Sequence, residues 1–362
     1  MDKFSVLQQY FGHSSFRPGQ EQVVDAIVSG QDVLGVMPTG AGKSVCYQVP
    51  AMLMPGLTLV ISPLISLMQD QVAALEEEGV HAACLNSALP EGLYSTILRA
   101  ALEGDYKILY VAPERLLTDS FLYLAMHARI AFVAVDEAHC VSQWGQDFRP
   151  SYLKIAEFIS RLPYRPVIGA FTATATEQVK QDIIALLQLN QPFTLTTGFD
   201  RPNLYFGVAR PRDKERYIEE YIDHRDRSGI VYCATRKSVE SVCKELRSVG
   251  ISATRYHAGL TPEERSKNQE DFVYDRKRVM VATNAFGMGI DKSNVSFVLH
   301  YNMPKNLENY YQEAGRAGRD GERAECILLF SLGDVQTAKY FIQNSHDNDE
   351  LTPEQAEAAA RR

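Results

Sequence analysis

The chain has 362 residues, 45% of them hydrophobic, which is enough for two α/β domains with cores of their own. Its net charge of −8 argues against a protein that passively coats nucleic acid, for which a basic domain is the usual footprint. No apolar run approaches the ~20 residues of a membrane span, and the six cysteines, at 46, 84, 140, 233, 243 and 326, form no C-x-x-C pair. They suggest neither a zinc site nor a disulfide framework and read as reduced, mostly buried thiols of a cytosolic protein.

The first residues, MDKFSVLQQYFG, lack a basic stretch followed by an apolar one, so they are not read as a signal peptide. Residues 4–11 suit a short amphipathic helix. The junction FGHSSFRPGQEQ, residues 11–22, leads into a second helix; Pro18 suits its first turn and puts Arg17 and Gln20 near its start.

Residues 32–36 (DVLGV) read as a buried strand, 37–44 (MPTGAGKS) as a glycine-rich turn and 45–53 as the start of a helix. A strand, such a turn and a helix N-terminus make an anion site, because backbone N–H groups converge there and the helix dipole favours negative charge. Gly40 and Gly42 let the backbone close around phosphate oxygens. Lys43 is placed to reach the β- and γ-phosphates and the Ser44 hydroxyl to ligate Mg²⁺. The strict P-loop pattern has glycine where this chain has Met37.

Alternating units follow. Strands are expected at 57–61, 82–85, 108–111, 130–135 and 167–171, with a helix running to residue 78 after the first. Repeated strand, polar loop and helix imply a parallel sheet with helices on both faces, whose polar loops collect on one edge. Strand 130–135 ends in DEAH, residues 136–139. Asp136 is placed to hold Mg²⁺ and Glu137 to polarise the attacking water, while His139 can hydrogen-bond to Thr172 or Thr174 at a neighbouring strand end.

Residues 195–208 (LTTGFDRPNLYFGV) read as a break between domains, punctuated by Gly198, Pro202 and Asn203. The charge changes there: residues 1–198 carry 12 Lys and Arg against 19 Asp and Glu, residues 199–340 carry 23 against 21. A second series has strands at 229–232, 253–256, 279–282, 295–299 and 326–330, and helices from 237, from 262 and around 307–314, without a second GKS. YYQEAGRAGRDG, residues 310–321, sets Arg316 and Arg319 between glycines, and an arginine supplied by a second domain can stabilise transition-state charge on a γ-phosphate. ATNAFGMGID, residues 282–291, is a strand end and a glycine-rich loop that by itself reads as a structural turn. Residues 341–362 end in LTPEQAEAAARR, which looks like a helix cut off within about two turns.

With these stretches in view the chain resembles the helicase core of superfamily two, and within it the RecQ family of DNA helicases. FRPGQ, MPTGAGKS, SPLISLMQDQ, APERL, DEAH, SQWGQDFRPSY, TATAT, FDRPN, YCATR, YHAGL, ATNAFGMGID and QEAGRAGRDG occur in the family's order across residues 4–340. The family's P-loop also has methionine at the place of Met37. The resemblance implies two RecA-like α/β domains, residues 1–199 and 200–340, with 341–362 beginning a following helical or zinc module. It implies ATP and Mg²⁺, no zinc site in this chain, single-stranded and partially duplex DNA as partners, no membrane, a monomeric core and a cytoplasmic place, nucleoid-associated if the source is bacterial.

Residue by residue, Arg17 and Gln20 would bind adenine. The family often has an aromatic residue just before FRPGQ, and His13 holds that place and can stack. Thr39, Gly40, Gly42, Lys43, Ser44 and Asp291 would contact nucleotide, with Ser44 and Asp136 holding Mg²⁺ and Glu137 orienting water. Arg316 and Arg319 would complete the site from the second domain. Residues 142–149 would couple DNA to hydrolysis through Trp144, Phe148 and Arg149, and Ser62 and Thr283 would meet the DNA backbone. Arg149 can pair either with a phosphate or with an acidic residue that holds the loop at rest. The zinc and winged-helix modules with which RecQ proteins usually continue are missing from this sequence, which implies ATP hydrolysis on DNA with poor unwinding. Two readings stay open beside this one: an RNA-dependent ATPase of the same superfamily, and a non-catalytic nucleic-acid-binding module.

Overall fold

A computed structural model describes residues 1–336 apart from 87–88, 146, 199, 224–226 and 287–291. Two compact units divide the chain, the first spanning Met1–Asp200 and the second opening at Arg201.

The first unit is built on strands β1 (Val33–Val36), β2 (Leu57–Ile61), β3 (Ala82–Leu85), β4 (Ile108–Val111), β5 (Ile130–Val135), β6 (Val167–Thr172) and β7 (Phe193–Thr196). They form one sheet in the order β3-β4-β2-β5-β6-β1-β7, and every pairing is parallel. The strands read as unbroken apolar runs because helices cover both faces. Successive residues alternate between two cores: Leu34, Leu59, Ile61, Val133 and Val135 join one, while Val33, Val60, Phe132 and Ala134 join the other.

This order puts the carboxyl ends of β1, β6 and β5 side by side. Those ends carry the phosphate turn, the TATAT stretch and DEAH. A carboxylate clamp fastens the opposite end of β1. Asp32 accepts from both terminal nitrogens of Arg165 (3.1 and 2.6 Å) and from the backbone N–H groups of Ile168 (2.9 Å) and Asn190 (2.7 Å).

The second unit has strands β8 (Leu204–Ala209), β9 (Ser228–Tyr232), β10 (Ala253–Tyr256), β11 (Val279–Ala282), β12 (Val295–His300) and β13 (Ala324–Leu329). They pair in the order β10-β11-β9-β12-β13-β8, again all parallel. Ile230, Tyr232 and Met280 fill one core; Val231, Val279 and Val281 fill the other. The helix Leu307–Ala314 is capped by the Asn306 side chain on the N–H of Asn309 and leads into the arginine-bearing turn.

Most expected strands agree to within two residues, and three readings are corrected. The break is narrower than residues 195–208, since β7 runs to Thr196 and β8 begins at Leu204. β7 and β8 are edge strands whose residues alternate in burial, so each shows only a weak apolar signal. Pro18 lies in the turn before the helix Gln20–Val28, which is entered through Gly19 in the left-handed region at φ 85°. The structure adds helices Glu91–Glu103, Asp119–His127, Lys154–Ser160 and Lys214–Asp223.

Candidate active site

The phosphate turn is shaped by two glycines in the left-handed region, Gly40 at φ 84° and Gly42 at φ 78°. Gly42 is the N-cap of the helix Lys43–Leu53, whose first N–H groups have no partner within the helix. A Cβ at Gly42 would lie 2.4 Å from Nε2 of Gln20, so only glycine fits. Lys43 folds back and donates to the Met37 carbonyl at 3.2 Å.

Arg17 and Gln20 brace this turn. The buried Gln20 amide donates to the carbonyls of Ala41 (3.1 Å) and Gly42 (3.0 Å), and its own carbonyl accepts from the Arg17 N–H at 2.8 Å. A terminal guanidinium nitrogen of Arg17 donates to the Gly40 carbonyl. The residues expected at adenine therefore hold the phosphate turn itself, with His13 exposed nearby in sequence. Thr39 and Ser44 lie half-buried in and just after the turn.

Asp136, at the end of β5, is 6% exposed. Burial, with the Glu137 carboxylate beside it, raises its pKa above the ordinary carboxylate range, while Lys43 opposes the shift. A divalent cation would restore the charged form, and a buried carboxylate and a serine hydroxyl are oxygen donors of the kind that suits Mg²⁺. Tyr152 orients this carboxylate's own backbone by donating its hydroxyl to the Asp136 carbonyl at 2.9 Å.

Glu137 adopts φ 47°, a left-handed conformation that costs a non-glycine residue energy and is kept where the surroundings enforce it. Its Oε2 is buried without a hydrogen-bond partner and lies 3.4 Å from Nδ1 of His139. His139 resolves onto one of its two expected partners: Nδ1 is 2.8 Å from the Thr172 hydroxyl. That hydroxyl donates to the Thr174 carbonyl at 3.1 Å, so it accepts from His139 and the proton sits on Nδ1. Burial lowers the His139 pKa and keeps the ring neutral. The TATAT strand end thereby fixes the ring beside the unpartnered carboxylate oxygen.

The aromatic loop leans on the same place. A Cβ at Gly145 would lie 2.2 Å from the His139 carbonyl, so the loop backbone packs directly on the DEAH turn. Arg149 donates from Nε and Nη2 to Asp147 (3.0 Å each) and from Nη1 to the Pro63 carbonyl at 3.0 Å. Of the two pairings expected for Arg149, the structure shows the acidic one. Ser142 donates to Asp182 and accepts from the Trp144 N–H at 3.1 Å. Trp144 is 76% exposed, which removes it from any core, and Phe148 is half-buried.

Ser62 and Thr283 are placed differently from the expectation of DNA-backbone contacts. Ser62 is 1% exposed with its hydroxyl unpartnered, since β2 continues through its N–H to the Val111 carbonyl; Thr283 is 8% exposed and its N–H bonds to the Tyr256 carbonyl. Asp291 lies outside the described residues.

In the second unit Arg316 is 5% exposed, and Arg319 is half-buried three residues on. Behind them His300 meets Glu313 at 2.9 Å, packed between the rings of Tyr232 and Tyr310. Arg201 and Asn203 bond to the turn that bears the two arginines. Neither residue has a role legible in the FDRPN stretch, since polar residues among punctuating Gly and Pro leave no periodic signal.

The family models for DEAD/DEAH box helicases and for the helicase conserved C-terminal domain match residues 17–182 and 213–321. The ATP-dependent DNA helicase RecQ of Bacillus subtilis is 48% identical over 347 residues, covering 95% of this chain and 59% of that protein. RecQ of Pasteurella multocida is 47% identical over 330 residues, 91% of this chain and 52% of that protein. The chain belongs to the RecQ family. It spans between half and three fifths of the length of these RecQ relatives. A more distant relative is the ATP-dependent DNA helicase Q1 of Rattus norvegicus, 42% identical over 91% of this chain and 55% of that protein. Among solved structures, S. cerevisiae Dbp5 bound to RNA and ADP BeF3 superposes with TM-score 0.72 over 99% of this chain and 97% of that one, at 17% identity. The helicase MrfA bound to DNA gives 0.75 over 91% of this chain and 51% of that one, at 18% identity. At such identities the likeness shows the fold: two RecA-like domains, each a parallel sheet flanked by helices.

Proposed function

We propose that this chain is the core of an ATP-dependent DNA helicase, coupling ATP hydrolysis to 3′–5′ translocation on single-stranded DNA and duplex unwinding in recombination and repair. The observation that carries the reading is the Glu137 carboxylate. It is strained and unpartnered, it follows the Mg²⁺-fitting Asp136, and the aromatic loop packs on the backbone of His139 two residues on. A purely structural acidic turn has no reason to keep a buried carboxylate oxygen without a donor.

In this reading the residues take the following roles. The turn at 40–44 receives the phosphates, with Lys43 leaving the Met37 carbonyl for the β- and γ-oxygens. Ser44 and Asp136 hold Mg²⁺, which neutralises charge on the phosphate oxygens. Glu137 orients the attacking water, and the neutral His139 keeps its N–H turned to Thr172 beside it. Arg316 and Arg319 serve the γ-phosphate. Trp144 offers its exposed ring to an unpaired base, and displacement of Arg149 from Asp147 carries that contact to the DEAH turn. Arg17 and Gln20 exchange part of their hold on the turn for adenine, with His13 stacking on it. Thr39 and Asp291 complete the nucleotide contacts, and Phe148, with hydroxyls such as Ser62 and Thr283 once strand ends open, serves the DNA path. The working unit is a monomeric core in the cytoplasm, nucleoid-associated in a bacterium, made of a nucleotide-binding domain at 1–199, a second RecA-like domain at 200–340 and the start of a further module at 341–362.

The test compares ATP hydrolysis with no nucleic acid, with single-stranded DNA and with RNA, and strand separation on duplexes with and without a 3′ overhang. DNA-selective stimulation is expected. Equal stimulation by RNA would move the substrate to RNA, and no hydrolysis at all would leave a binding module.

A further inference from the structure

The turn that carries Arg316 and Arg319 is held from behind by the residues at which the chain enters the second unit. Arg201 donates from Nη1 to the Gly315 carbonyl at 2.8 Å and from Nη2 to the Gly318 carbonyl. Asn203 donates from Nδ2 to the same Gly318 carbonyl and to that of Glu322, 2.9 Å each. Backbone bonds lock the frame further: Ala324 N–H to the Asn203 carbonyl (2.9 Å), Leu204 N–H to that of Arg201 (2.9 Å) and Gly318 N–H to that of Val295 (2.8 Å). Gly318 sits at φ 59°, and a Cβ there would lie 2.5 Å from Nδ2 of Asn203.

We propose that Arg201 and Asn203 are positioning residues for the two arginines that act on the γ-phosphate; this rests on the function proposed above. The carbonyls they grip bracket Arg316, and the second of them immediately precedes Arg319. Gly315 ends the helix Leu307–Ala314, so its carbonyl belongs to the negative end of a helix dipole, where a cation is favoured. A guanidinium spans two carbonyls with a planar fork that an ammonium lacks. The backbone between 315 and 318 is thus set by side chains that precede β8, more than 110 residues earlier in the sequence. Arginines acting on a transition state need placement within a fraction of an ångström, and a shift of about 1 Å costs on the order of a hundredfold in rate.

The experiment uses the chain as it stands, with Arg201→Ala, Arg201→Lys and Asn203→Ala. It measures kcat and KM for ATP on saturating single-stranded DNA, ADP affinity, retention of ADP with aluminium fluoride, and thermal melting. Arg201→Ala is expected to lower kcat about tenfold or more while KM and ADP affinity stay within about twofold. Retention of the transition-state analogue should fall in step with kcat. Arg201→Lys should recover part of both, and Asn203→Ala should lose less than Arg201→Ala. Should Arg201→Ala fail to fold, the other two variants carry the same comparison. Full kcat in the folded variants overturns the proposal, as does a fall of kcat, ADP affinity and melting temperature together with a rise of KM. A wild-type chain with no DNA-stimulated hydrolysis abolished by Lys43→Ala removes the functional reading and the proposal with it. An active wild type with equally active variants removes the proposal alone.

Discussion

Lys43 and Glu137 fail differently when changed. Lys43→Ala removes the ammonium that now spans the turn to the Met37 carbonyl and is assigned to the phosphates, so nucleotide affinity and turnover should both fall. Glu137→Gln keeps size and shape but loses the charge that orients water. Turnover should vanish while nucleotide still binds, measured by equilibrium titration beside steady-state hydrolysis. Near-normal turnover in Glu137→Gln would mean the DEAH turn is not the catalytic one. Arg319→Ala belongs to the same scale: a transition-state arginine supplies ~10³-fold or more in comparable phosphoryl transfer. Its kcat should drop by orders of magnitude with little change in nucleotide affinity; equal losses in both would mark a ground-state contact.

At the scale of elements, the loop 142–149 and the DEAH turn are one packed object. Gly145→Ala forces a methyl group to within 2.2 Å of the His139 carbonyl, an overlap that must be relieved by moving one backbone or the other. We expect a cost of about 1–3 kcal/mol in stability and a weaker response of hydrolysis to DNA, read from the ratio of stimulated to basal rates. Trp144 reports on the same loop, since it is the only tryptophan. Its emission should change as single-stranded DNA is titrated in without nucleotide, because base stacking on an exposed ring gains ~1–3 kcal/mol. Constant emission through saturating DNA would leave the loop without a base contact. The other end of the sheet offers a control far from the chemistry. Asp32→Ala leaves the Ile168 and Asn190 N–H groups without this acceptor and Arg165 with only the Pro166 and Gln188 carbonyls, and denaturant melts should show a loss of about 3 kcal/mol.

For the whole molecule, charge sets the terms of DNA binding. A chain of net charge −8 cannot attract a polyanion through its overall field, so attraction must come from local groups. Affinity for single-stranded DNA should fall with log salt at a slope of about −0.7 per phosphate contact, and the total slope should be small. A slope near zero would remove phosphate contacts as the main term and leave stacking on Trp144 and its neighbours.

The sequence by itself determined the alternation of strand and helix, the parallel sheets and the phosphate turn. These follow from local chemistry: buried strands must be apolar on both faces, and a chain that closes around phosphate needs glycine at positions 40 and 42. It also placed Asp136 and Glu137 at a strand end, and Arg316 and Arg319 in one turn, because residues close in sequence stay close in space. How distant segments meet emerged only with the fold. The strand order sets β1, β6 and β5 beside one another, so Thr172 takes His139 and fixes its proton. The packing of a loop on a turn put Arg149 on Asp147 and on the Pro63 carbonyl, 86 residues earlier in the sequence. The edge strands β7 and β8 were illegible because half their side chains face away from the core. Arg201 and Asn203 became meaningful only when the fold carried residues 315–322 back against them, since a hydrogen bond from a side chain to a remote backbone carbonyl leaves no period or spacing to read.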